Sequence, residues 1–205
     1  MTTKYGFSDV REQLLESINS AYPTKWEGSR TAKVLGEDIF GSPKPHPNAV
    51  SNLFAEQGIK FALPFAAYRA GMAGFSSLTS DKPGTVLPRL ALASTMQGME
   101  TIRGGLAKLA YSVVCSISLE NCRNVECAVN TDINSPDKRM GMLNQIYYVM
   151  VKEGKGDVLS PDLSLEHIVC VRCAKTPEQV YHLWRTTIWQ ELPRIFGVGK
   201  NWEEV

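Results

Sequence analysis

The chain has 205 residues, a net charge of +1, 43% hydrophobic and 21% charged residues, which is the balance of an ordinary globular protein able to bury a core without disulfides. That charge supplies no basic field for nucleic acid and no polybasic patch for a membrane surface, and no apolar run approaches the ~20 residues of a membrane span. The first residues lack an apolar signal region, so the five cysteines are read as intracellular thiols or metal ligands (cytoplasmic or nuclear) before disulfides.

In chain order, Ser8 is placed to cap a helix carrying Val10, Leu14, Leu15 and Ile18 on one face, stopped by Tyr22-Pro23. A loop-rich crossing follows to Pro47, anchored by Trp26 and Val34-Leu35. Within it Pro43-Lys44-Pro45-His46-Pro47 is extended, a linker more than a proline-motif ligand. Pro47 opens a helix through Glu56, with Val50, Leu53 and Phe54 inward and Gly58 as its stop. Ile59 to Ala70 is apolar nearly all round and is expected to be the central buried helix, with Pro64 tolerable only near its first turn.

Gly71 to Pro88 reads as an exposed, mobile Gly/Ser/Pro-rich loop. Leu90 to Ser116 reads as helix broken by Gly98, Gly104 and Gly105, each costing about 1 kcal/mol against alanine. The expectation is a short helix ending near Ser94 and a longer one from Met99 to Val114, with Met96, Met99, Ile102, Leu106, Leu109 and Val113 in the core. Pro136 opens a helix to Lys152 that buries Met140, Leu143, Ile146, Tyr147 and Met150, and Gly154-Lys155-Gly156 turns the chain. Thr176, Pro177 and Gln179 form a capping box for a final helix with Val180, Leu183, Trp184, Ile188 and Leu192 on its stripe, ended by Pro193. No alternating strand pattern occurs, so the fold class is all-α, an irregular multi-helix domain with long loops.

The candidate site is cysteine-based. Cys122-x4-Cys127 and Cys170-x2-Cys173 are two knuckles that can converge as a tetrahedral thiolate site for one structural zinc, with His167 as a substitute ligand. The 42 residues between the pairs exceed the usual separation, and four thiols without a metal, two of them packed as small apolar groups, are the commoner outcome of such spacing. A labile disulfide is the third reading. Cys115, after Val113-Val114, is expected to be a core thiol. A thiol-dependent enzyme would draw on the Cys170/Cys173 redox spacing or on Cys173 with His182. Redox motifs normally sit where a strand meets a helix, which this sequence does not offer, and His182 is read as a solvated helix position. No catalytic constellation is identified.

Several boxes together resemble a known family. Lys4-Tyr5-Gly6-Phe7 with Val10-Arg11, Leu14-Leu15 and Tyr22-Pro23 resembles the closing helix of a BTB/POZ domain, specifically in the BTB proteins of mushroom-forming fungi. Ala49-Val50 to Gly58-Ile59, Leu63-Pro64-Phe65-Ala66-Ala67-Tyr68-Arg69, the Cys122/Cys127 region, Cys170-x-x-Cys173, Trp189-x-x-Leu192-Pro193-x-x-Phe196-Gly197 and Trp202 follow in the family's order. The resemblance implies residues 1–22 as the terminal helix of a BTB-like domain and 23–205 as a helical domain with a C-terminal cysteine/tryptophan segment. It implies a non-enzymatic adaptor or protein-interaction arm of unknown protein partner. The strand-rich part of a BTB domain does not precede this helix in the sequence, so neither dimerisation nor ubiquitin-ligase recruitment is implied. The alternative is a zinc-stabilised helical binding domain acting alone. The adaptor-arm reading predicts that the first helix exposes Phe7, Val10, Leu14 or Ile18, and full burial of that face would favour the stand-alone domain.

Overall fold

The structure, a computed structural model, describes residues 5–26, 45–117, 136–148, 159, 165 and 169–205. Every regular element among them is a helix, as the sequence implies. None of these helices is long and apolar enough to cross a membrane. Val34-Leu35, the 154–156 turn, Cys122, Cys127 and His167 lie outside the described residues, as does the side chain of Phe7. The chain divides into two compact units, residues 1–99 with 190–205 and residues 100–189.

The first unit begins with α1 (Tyr5–Ala21), α2 (Pro47–Glu56), a 3-10 turn (Lys60–Ala62), α3 (Leu63–Met72) and the single-turn α4 (Phe75–Leu78). The bounds of α2 are those read from its sequence. His46 caps it, Pro47 supplies a preset φ at the first turn, and Gly58 closes it at φ 66°. Gly58 N–H donates to the Ala55 carbonyl at 3.3 Å and Ile59 N–H to the Phe54 carbonyl at 2.9 Å, the paired bonds of a left-handed glycine stop. Leu53 faces outward rather than in, while Val50 and Phe54 are buried.

Helix α3 is buried from Pro64 through Tyr68 and packs on α2. Pro64 is harmless there because a first-turn residue has no helical acceptor for its missing N–H. Tyr22, just past α1, stands edge-on to Phe54 at 4.8 Å between centroids and to Phe65 at 6.0 Å. Among the described side chains of α1, the buried ones lie at its end: Ile18, Ala21 and, just beyond, Tyr22 are buried, whereas Val10 is 62% and Leu14 57% exposed. The sequence named Ile18 among the residues to be left outside, and the structure instead seats it against the core.

Residues 73–88 are not simply an exposed loop. Pro83-Gly84 forms a reverse turn, with Gly84 at φ 75° and Thr85 N–H donating to the Lys82 carbonyl at 3.0 Å. Leu78 and Leu87 are buried with Ala70, and Leu92 packs against them. Composition marked the turn correctly, but two asparagines of α2, described below, hold the segment down.

Helix α5 (Arg89–Ser116) runs unbroken for 28 residues through all three glycines. In the first unit its Gly98 faces the buried ring of Phe196, and a Cβ there would stand 2.5 Å from that ring. Close approach, rather than a helix break, is why glycine is there. The end of α7 (Val171–Ile195) also lies in this unit. It passes Pro193 and stops at Gly197, φ 67°, where Val198 N–H reaches the Pro193 carbonyl at 2.8 Å and Gly197 N–H the Arg194 carbonyl at 3.2 Å. Proline removes one donor without forcing an end here, so the expected stop at Pro193 moves two residues on, to Ile195.

In the second unit α5 buries Ile102, Leu106, Leu109, Ala110 and Val113, close to the expected stripe, although Met96 in the first unit is exposed. Helix α6 (Pro136–Tyr148) buries Met142 and Ile146 and exposes Met140 and Tyr147, a face rotated from the expected one. Helix α7 departs most. It starts at Val171 instead of after Thr176, so Pro177 lies well inside it. Among its described side chains in this unit, Cys173, Pro177, Tyr181, Arg185 and Trp189 are buried at every fourth position, with Ala174 buried beside the first, and Leu183 is 69% exposed. Trp184 flanks that stripe and lies over Gly105, where a Cβ would come within 3.3 Å of its indole.

Candidate functional site

Of the proposed metal ligands, the structure describes Cys170 and Cys173. Cys170 immediately precedes α7 and its carbonyl accepts from Ala174 N–H at 3.0 Å, which makes it the capping residue of the helix. Cys173 then falls in the first turn and is buried, while Cys170 is half-buried. Cys115 is exposed near the end of α5, not in the core as expected. Among the described residues no three His, Cys, Asp or Glu side chains gather to hold a metal. His182 is exposed on α7, nine residues beyond Cys173.

A polar constellation in the first unit escaped the sequence reading. His46 Nδ1 accepts from Asn48 N–H at 3.3 Å, and His46 Nε2 lies 3.0 Å from Ser77 Oγ. Asn48 is fully buried, and its Nδ2 donates to the Ser77 carbonyl at 2.8 Å and the Thr85 carbonyl at 2.9 Å. Asn52 Nδ2 holds the Val86 carbonyl at 2.8 Å. Thr85 Oγ1 donates to the Lys82 carbonyl at 2.9 Å and so accepts from Ser80 Oγ at 2.8 Å. The clue in the sequence was His46-Pro47-Asn48 ahead of an apolar run, but nothing local says that its amide reaches 29 to 37 residues along the chain.

A hydroxyl 3.0 Å from an imidazole invites comparison with a nucleophile and its base. The hydrogen bonds argue otherwise. Nδ1 accepts a backbone N–H, so it carries no proton, and the neutral ring holds its proton on Nε2. Nε2 therefore donates to Ser77 Oγ and cannot take the hydroxyl proton. The pair ties α4 to the start of α2. Asn48 Oδ1 is buried with no hydrogen-bond partner among the described residues.

Tyr22 is a titratable group of the first unit whose environment shifts it. Burial pushes its phenol above the ordinary value, and the Arg69 guanidinium, 5.8 Å over the ring, pulls partly back. Below about pH 10 both folded and unfolded chains keep this proton. Above it the unfolded chain ionises first, so stability falls as pH rises through the folded value, by at most about 1.4 kcal/mol per pH unit. Urea midpoints measured from pH 8.5 to 11 are expected to fall less steeply for Tyr22→Phe than for the parent chain; parallel curves would show that Tyr22 contributes nothing.

Among the described residues of the first unit, the large apolar side chains most open to solvent are Leu90, Phe75, Val10, Leu14 and Val86. Val10 and Leu14 stand one turn apart on α1 and form a ridge flanked by exposed Asp9, Arg11, Glu12 and Gln13. Comparison of the chain with protein-family models, curated protein sequences and solved structures finds no match.

Proposed function

We propose that this chain is a non-enzymatic protein-interaction module, the helical arm of a BTB-type adaptor, and that α1 carries its docking ridge. The family part rests on the ordered sequence boxes from Tyr5-Gly6-Phe7 to Trp202. The ridge rests on one observation: α1 buries Ile18 and Ala21 at its end yet leaves Val10 and Leu14 in solvent. Two apolar side chains at i and i+4, rimmed by charge, suit the apolar groove or helix face of another folded protein domain. Support for binding over catalysis comes from the Ser77–His46 pair, whose proton is on the wrong nitrogen for base catalysis.

The test replaces both ridge residues, Val10→Lys with Leu14→Lys. Exposed positions away from packing move stability by about 0.5 kcal/mol or less, so the variant is expected to keep its melting temperature. Photo-crosslinkers at positions 10 and 14 in the source cell are expected to capture a defined protein domain, and the double variant is expected to lose at least tenfold of that capture in competition, as ~1.4 kcal/mol would give. If the double variant competes as well as the parent, the ridge is not the docking surface. A collapse in melting temperature would show instead that it packs within this chain.

A further inference from the structure

We propose that His46 is a pH-sensitive latch, and that proton uptake on its ring releases the strap of residues 75–87 from the start of α2. Three side chains meet at this point. His46 Nδ1 accepts from Asn48 N–H at 3.3 Å, His46 Nε2 lies 3.0 Å from Ser77 Oγ, and Asn48 Nδ2 donates to the Ser77 carbonyl at 2.8 Å. One ring therefore caps α2 with one nitrogen and holds α4 with the other.

The arrangement admits only the neutral ring. An imidazolium carries a hydrogen on both nitrogens and has no acceptor. With a proton on Nδ1, two N–H groups would face each other across the 3.3 Å that the cap bond now spans, so the ring must turn away. Turning it also withdraws Nε2 from Ser77, because both nitrogens belong to the same rigid plane. The backbone N–H of Asn48, a fully buried residue, then loses its acceptor. The new charge also stands at the N-terminal end of a 10-residue helix, the end that disfavours cations.

The described elements around the ring offer little to offset that charge. Helix α4 is Phe75-Ser76-Ser77-Leu78, with no charged residue, and the only carboxylate of α2, Glu56, is at its far end. Packed on α2, the 3-10 turn carries Lys60 and α3 carries Arg69, whose guanidinium lies over Tyr22. In the strap, Asp81 and Lys82 are exposed beside the Pro83-Gly84 turn. The open strap leaves the ring free to take a proton and the closed strap does not, so a fall in pH favours the open form. Leu78 and Leu87 stay buried with Ala70 in the closed form, and Asn52 still holds the Val86 carbonyl. The strap is therefore closed most of the time, and pH sets how often it opens.

An imidazole in water takes up its proton near pH ~6.5, which places the test between pH 7.5 and 5.5. Hydrogen exchange of the full chain is read by mass spectrometry at both values and corrected for the intrinsic rate at each. The amides of Leu78, Thr79, Ser80 and Thr85 report on the strap, since each donates to a local carbonyl and a single helical turn does not persist once detached. Their protection is expected to fall at least about fivefold at pH 5.5, the factor a helix cap is worth, while peptides from α3 keep theirs. In His46→Asn, whose side-chain oxygen caps a helix without titrating, the strap is expected to be equally protected at both values. That variant separates His46 from Asp81 and His182. If it does not fold, nitrogen-15 shifts of the His46 ring in the parent chain serve instead, with the Nε2–H tautomer expected at pH 7.5 and its protonation tracking a change at the Ser77 amide. Equal protection of the parent strap at both values overturns the proposal, as does an acid loss that His46→Asn shares or that spreads equally to α3. It also fails if the ring carries its proton on Nδ1 at pH 7.5.

Discussion

Asn48→Asp is expected to destabilise the protein by about 4 kcal/mol or more at pH 7, the largest effect of any change discussed here. The substitution alters one group, NH2 to O, at constant volume. The amide it removes donates to the carbonyls of Ser77 and Thr85, of which that of Ser77 also accepts from Ser80 N–H at 3.2 Å. An oxygen in that place takes the amide donor from both, leaves the buried acceptor at Thr85 unpaired at about 1–3 kcal/mol, and sets a third acceptor against them. The new charge is fully buried. One effect favours aspartate: this is the second residue of α2, where a negative charge normally gains about 0.3–1 kcal/mol from the helix. That gain is too small to decide the sign.

The pH dependence identifies the cause. The buried carboxyl would keep its proton to a pH above its unfolded value of about 4. Above that value the unfolded chain releases the proton first, so the penalty grows as pH rises through the folded value and is least near pH 4. Equilibrium urea unfolding of parent and variant at pH 4 and 7 is the measurement. A deficit below 1 kcal/mol at pH 7, or one that does not shrink in acid, would mean that the 77–85 segment does not rest on Asn48.

Two glycines of one helix are expected to respond with opposite sign. Alanine gains about 1 kcal/mol over glycine inside a helix, whatever the site. At Gly104 nothing lies within 4 Å of the new Cβ, so Gly104→Ala is expected to stabilise by about that amount. At Gly98 the Cβ would meet Phe196 Cε1 at 2.5 Å and Cδ1 at 2.6 Å, with Ile195 Cγ2 at 3.2 Å. The Phe196 ring is buried and is no flexible chain end, so something in the first unit must shift. Overpacking costs of about 1–3 kcal/mol exceed the propensity gain, and Gly98→Ala is expected to lose about 1–2 kcal/mol net. Melting curves of the two variants decide it. If both stabilise, the approach of α5 to Phe196 is looser than the structure has it.

Much of this fold was legible from residues that act on their immediate neighbours. The all-α class, both ends of α2, the glycine stop at Gly58, the placement of Pro64 in a first turn and the burial of Pro64 to Tyr68 follow from caps, ring constraints and local apolar density. These signals operate within a few residues, so they survive without knowledge of the rest. The exposure of Val10 and Leu14 was expected too, but from the family resemblance, in which this helix packs on a preceding domain, and not from local chemistry.

What needed the tertiary structure is of a different kind. Three glycines at about 1 kcal/mol each argue for a broken helix, yet packing keeps α5 continuous, because Gly98 and Gly105 admit Phe196 and Trp184. The register of α7 was set by its partners, too. Its capping box was sound chemistry at Thr176, but burial of Cys173, Pro177, Tyr181, Arg185 and Trp189 draws the helix back to Val171 and turns Leu183 outward. Arg185 is only 2% exposed, with its guanidinium 4.8 Å over the Tyr181 ring, and no hydrophobic periodicity would place a charge there. The Asn48 clamp joins groups 29 to 37 residues apart. Local chemistry specifies which segments are helices; which face is buried, and where a long helix starts, is settled by free energies of packing that exceed the local preferences and depend on residues far away in the chain.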